Sequence, residues 1–151
     1  MVYTKIEKQI IKEFVKAIDP KLKVSFKEHD FQANVYNKTI FVGTRVADTF
    51  MNWFRKEFPQ CETMNWWLIH LLHEIGHCET DTKKSQSERT LMVASLELDF
   101  FLLDNPTKED YKKYNEDYFV IPNEYSATTW GVNYYLTHQE ALDGLVEMLG
   151  F

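Results

Sequence analysis

The chain has 151 residues, 44% of them hydrophobic and 15% aromatic, which suits one buried core and excludes a disordered chain. Its formal net charge is −6, and no stretch gathers Lys and Arg without carboxylates beside them, so no nucleic-acid partner is expected. No window approaches the ~18 apolar residues of a membrane span, and "MVYTKIEKQIIKEF" is charged throughout, unlike a secretory signal. The expectation is a single cytoplasmic domain over residues 1–151.

Ile6, Ile10, Ile11, Phe14, Val15 and Ile18 recur at helical spacing, which predicts an amphipathic helix ending at Asp19-Pro20. "LKVSFKEH" alternates apolar and polar residues as a half-buried strand does. "ANVYNKTIFVG" predicts two short strands around a turn at Asn37-Lys38, closed by Gly43, so a small antiparallel sheet should follow the first helix. From Asp48 onward the pattern is helical. "DTFMNWFRKEF" is a short helix ended by Pro59, and "TMNWWLIHLLHEIGHC" is a long apolar one that Thr63 can cap. "SERTLMVASLELDFFLLD" is a helix halting at Asn105-Pro106, and "TKEDYKKYNEDY" is a short polar helix. "IPNEYSATTWGVNYYLTH" carries Pro122 in its first turn, and "QEALDGLVEML" closes the chain. The fold class is therefore α+β: a small antiparallel sheet and a mostly helical remainder. Cys61 and Cys78 form no C-x-x-C pair and are expected as two buried thiols.

The stretch HEIGH, residues 73 to 77, lies at the end of the long apolar helix. At about 100° per residue, His73 and His77 share one face, one turn apart. Two imidazoles so spaced can bind one Zn²⁺ at about 2.0–2.1 Å each. Glu74 is offset round the helix and can lie beside a zinc-activated water as general base. Gly76 costs a helix interior roughly 1 kcal/mol relative to Ala, which suggests a neighbouring element close by. His70 lies near the same face and is expected to pack or support rather than ligate.

A catalytic zinc needs a third protein ligand. "CETDTK" follows His77, so the H-E-x-x-H-x-x-G-x-x-H pattern is absent, and a downstream carboxylate is the better candidate. Three compete. Glu88 stands at a predicted helix N-terminus, where a carboxylate usually serves the helix itself. Glu97 is a charge within the very apolar "VASLELDFF" and needs a partner if buried. Glu124 shares a helical face with Ala127 and Trp130-Gly131, whose small residues would let that helix approach the histidine helix closely.

HEIGH with a later E-x-x-A-x-x-W-G helix resembles the gluzincin side of the zincin metallopeptidases. It is most similar to the small metallopeptidases of phages and mobile elements, akin to the ImmA/IrrE group, which combine HELGH with an E-x-x-A-x-x-F/W-A helix. The likeness covers roughly residues 64 to 78 and 118 to 135. It implies a minimal zincin-like fold, His73, His77 and Glu124 as zinc ligands, and Glu74 as general base. The implied activity is hydrolysis of a peptide or protein substrate, in the manner of limited cleavage of a regulatory protein. Gly131 stands where that group usually has Ala, and Glu97 keeps the spacing of thermolysin-like gluzincins.

Tyr118, Tyr125, Tyr134, Tyr135 and His138 are the candidate donors to a tetrahedral oxyanion. "TIFVG", Thr39 to Gly43, is the candidate sheet edge for pairing with an extended substrate. The alternative functions are a zincin-fold binding protein with little turnover and a zinc hydrolase of a non-peptide amide.

Overall fold

A computed structural model describes residues 2–151. The first helix, α1 (Lys5–Ile18), starts at a reciprocal cap: Thr4 Oγ1 accepts from the Glu7 N–H at 3.2 Å, and Glu7 Oε2 accepts from the Thr4 N–H at 2.6 Å. It sinks Ile11 and Val15 into the core and stops at Asp19, before Pro20.

Three strands follow: β1 (Lys23–Phe26), β2 (Gln32–Asn34) and β3 (Thr39–Val42). They form one sheet in the order β1-β3-β2. β2 and β3 pair antiparallel across a turn in which Lys38 takes a left-handed φ of 52°, whereas β1 runs parallel to β3. The sheet is thus mixed, not antiparallel as expected. Burial gives the reason. Ile40 and Val42 of β3 are fully buried, while β1 and β2 have no buried residue, so the most apolar strand takes the centre. Thr39–Val42 is consequently not the free edge that the sequence suggested. β2 is an edge, and it faces the cleft described below. Gly43 closes β3 where a Cβ would stand 2.4 Å from the His29 carbonyl oxygen.

The remainder is helical, as predicted. α2 (Asp48–Glu57) leads through a short 3-10 turn, Pro59–Cys61, into α3 (Trp66–Thr80). Arg55 donates to the carbonyls of Cys61, Glu62 and Met64 and so ties that turn to α2. The α3 cap is Asn65, not Thr63: Asn65 Oδ1 accepts from the Trp67 N–H at 2.8 Å. α3 is the central helix, with Trp67, Leu68, Leu71, Leu72 and Ile75 all fully buried. α4 (Lys83–Phe101), α5 (Lys108–Phe119), α6 (Pro122–Thr137) and α7 (Gln139–Leu149) complete the chain.

α6 lies directly on α3, with Gly76 against the Ala127 backbone and Gly131 against Leu72. α4 is different: none of its residues is buried, and Leu91, Leu98, Phe101 and Leu102 stand exposed. No helix among the described residues is long and apolar enough to cross a membrane. Cys61 and Cys78 are both buried free thiols, and burial pushes the Cys78 thiol up to about 12.

Candidate metal centre

The helical period puts His73 and His77 on one face of α3, and their Nε2 atoms stand 3.1 Å apart. Pro122 occupies the first turn of α6 and Glu124 follows it, near the positive end of the helix dipole. Glu124 is 5% exposed, and its Oε2 lies 3.2 Å from His73 Nε2 and 3.1 Å from His77 Nε2. The three atoms form a nearly equilateral triangle. A tetrahedral zinc with bonds of about 2.0–2.1 Å spaces its ligand atoms about 3.3–3.4 Å apart. The donor set and its spacing fit that ion with shifts of a few tenths of an ångström. Among the described residues, His73, His77 and Glu124 are the group able to share a metal.

Hydrogen bonds on the far side of each ring engage Nδ1 and leave Nε2 pointing inward. Thr128 Oγ1 donates to the Glu124 carbonyl at 3.0 Å, so toward His73 Nδ1, also at 3.0 Å, it acts as acceptor. His73 therefore keeps a proton on Nδ1, and Nε2 is the nitrogen that faces Glu124. His77 Nδ1 donates to Asp81 Oδ2 at 2.9 Å, with the same result. A carboxylate or hydroxyl behind a ligating imidazole fixes the ring and raises its basicity.

The surrounding charge favours a cation. Burial works to lower His77, but Asp81 and Glu124 outweigh it and push the ring up to about 10. Burial likewise works to raise Glu124, yet hydrogen bonds from His73 and His77 hold its carboxyl well below the usual carboxylate range. Both shifts have one cause: the carboxylates and imidazoles packed together stabilise each other's charged forms.

Glu74 stands half-buried on the wall of a cleft of about 660 Å³ that also reaches His73, His77, Glu124 and β2. No hydrogen bond to its side chain exists among the described residues, and burial pushes its carboxyl up. His70 is a packing residue. Its Nδ1 donates to the Trp66 carbonyl at 2.7 Å and its Nε2 accepts from the Ala47 N–H at 3.1 Å, so neither nitrogen is free to ligate.

The other candidates separate cleanly. Glu88 is exposed, 3.8 Å from Lys84. Glu97 is exposed on α4, and water supplies the partner that a buried charge there would have lacked. Of the possible oxyanion donors, Tyr118 lines the cleft with its hydroxyl 3.1 Å from Glu124 Oε1. Tyr125 is spent on Glu57, Tyr135 on Asp143, and Tyr134 stacks on Trp130 and on the exposed His138.

Three supporting residues were not singled out from the sequence: Asp81, Thr128 and Arg89. Two had a local signal, since Asp81 follows His77 and Thr128 follows Glu124 by one helical turn. Arg89, whose Nε lies 2.8 Å from Glu124 Oε1, had none.

This geometry separates the rival carboxylates by experiment. Glu124→Ala is expected to weaken zinc binding by more than the ~10–100-fold typical of losing a supporting partner, and Glu97→Ala to leave it unchanged. Chelator competition on both purified variants measures the difference. The chain matches no protein-family model, no curated protein and no solved structure.

Proposed function

We propose that this chain is a zinc-dependent metallopeptidase of the zincin type, in which His73, His77 and Glu124 hold the ion. The observation that carries the reading is the 3.1–3.2 Å triangle of two Nε2 atoms and one carboxylate oxygen, opening onto a cleft with a free carboxylate beside it. A zinc ion held there would supply Lewis acidity and bring the pKa of water toward neutrality.

The chain's own groups would do the rest. Glu74, desolvated and without a hydrogen-bond partner, takes the proton of the attacking water and delivers it to the leaving amine. The Tyr118 hydroxyl lines the cleft, but its one O–H is given to Glu124 Oε1, so it braces that carboxylate. Gln32–Asn34, an edge strand along the cleft, can pair its backbone with an extended peptide and so hold the scissile bond across the site.

The test is metal content together with turnover of an unstructured protein such as casein. The purified chain should carry one zinc per molecule. A strong chelator should abolish cleavage, and added zinc should restore it. Cleavage that persists after complete zinc removal would sink the reading.

A further inference from the structure

Gln86 and Arg89 are three residues apart and share a face of α4. Each grips a carboxylate that stands against an imidazole. Gln86 Nε2 donates to Asp81 Oδ2 at 2.7 Å, and Asp81 holds His77. Arg89 Nε donates to Glu124 Oε1 at 2.8 Å, while its Nη2 donates to the Tyr118 hydroxyl, which in turn donates to the same Glu124 oxygen at 3.1 Å.

The two grips differ in redundancy. Asp81 Oδ2 also receives His77 and, at 3.3 Å, Asn123, so loss of Gln86 leaves it two donors. Glu124 Oε1 is held by Arg89 and Tyr118 alone among the described residues, and Arg89 also orients Tyr118. With Oε1 occupied in this way, Oε2 is the oxygen left facing both Nε2 atoms. Rotation of the carboxylate would exchange the oxygens or offer both to the cation, and the Arg89 Nε–H and the Tyr118 hydroxyl, both bonded to Oε1 and tied together by Arg89 Nη2, oppose that rotation.

We infer that Arg89 is a positioning residue of the metal centre: it locks Glu124 with a single oxygen turned toward the ion and fixes the Tyr118 hydroxyl beside it. The inference rests on the metallopeptidase reading for its ion and goes beyond it by assigning control of ligand geometry to a helix that carries no ligand. Lysine could replace the charge but not the fork, since one ammonium on a flexible stem does not reproduce the planar geometry.

The experiment compares the wild-type chain with Arg89→Ala, Arg89→Lys, Tyr118→Phe and Gln86→Ala. For each, zinc affinity is measured by chelator competition, the visible spectrum is recorded after Co²⁺ substitution, and thermal unfolding is followed without metal. Arg89→Ala should weaken zinc ~10–100-fold and shift the Co²⁺ bands. Arg89→Lys should recover part of the affinity but keep a shifted spectrum, and Gln86→Ala should have the smallest effect. If Arg89→Ala fails to fold, the Arg89→Lys and Tyr118→Phe spectra decide the matter alone.

A wild-type chain that takes up no stoichiometric zinc overturns the metal reading and this inference with it. A wild-type chain that binds zinc, with Arg89 variants of equal affinity and identical Co²⁺ spectra, overturns this inference alone. That second result, joined to a lowered metal-free unfolding temperature, would reduce Arg89 to a fastening for α4.

Discussion

Glu74→Gln is expected to keep its zinc and lose its turnover. The amide matches the carboxylate in shape and has nearly the same helix propensity, but it cannot accept a proton at neutral pH. Positioned proton transfer contributes about 10²–10⁴-fold to a rate, so a fall in kcat of that size is the expected result. The side chain makes no hydrogen bond among the described residues, so the substitution breaks none, and α3 should be undisturbed. Stability should move slightly upward if it moves at all. The sign follows from the direction of the shift: burial raises the folded pKa of Glu74, so its ionisation costs stability once the pH exceeds the unfolded value. A neutral amide removes that cost. Zinc content, peptide turnover and unfolding temperature, measured on one preparation, check all three statements. Turnover at the wild-type rate would remove Glu74 as the base.

The parts of this molecule legible in the sequence are those governed by local periodicity. HEIGH announces its shared face because four residues make one turn, and the imidazoles do meet, with Nε2 atoms 3.1 Å apart. Glu124 stood beside Ala127 and Gly131 on one helical face, and those small residues do lie against α3. Contacts between distant segments were opaque. Which strand lies in the middle of a sheet depends on what covers it, so the central place of β3 could not be read from alternation alone. The α4 sequence is apolar on several faces, so Glu97 read either as a buried charge in want of a partner or as an exposed one. One side of α4 leans on α5 and α6 while Leu91, Leu98, Phe101 and Leu102 remain outside, so Glu97 is solvated. Arg89 sits in a polar run with nothing to distinguish it from its neighbours, and its meeting with Glu124 spans 35 residues.

Gly76→Ala should be the most damaging glycine-to-alanine change within the helices. A Cβ at residue 76 would lie 2.3 Å from the Ala127 carbonyl oxygen and 2.9 Å from the Ala127 Cα and carbonyl carbon. These are backbone atoms, so no side chain can swing aside, and α3 and α6 must separate. Helix propensity pulls the other way, favouring Ala over Gly by about 1 kcal/mol. Overpacking typically costs ~1–3 kcal/mol, and rigid backbone on the other side puts this case at the upper end, so the clash wins, with a net loss of about 2 kcal/mol. At this chain length that lowers the unfolding temperature by about 4–8 °C. The metal centre should suffer further, because Glu124 rides on the first turn of α6, one helical turn before Ala127, and a zinc bond of about 2.0–2.1 Å does not tolerate an ångström of withdrawal. Gly144 in α7 provides the control. A Cβ there meets nothing within 4 Å, so Gly144→Ala gains the helix term without the clash and should raise the unfolding temperature. The same chemical change thus has opposite signs at two helical glycines, and only the one at the α3–α6 contact should release zinc. Wild-type zinc affinity in a folded Gly76→Ala chain would mean that this close approach does not set the position of Glu124.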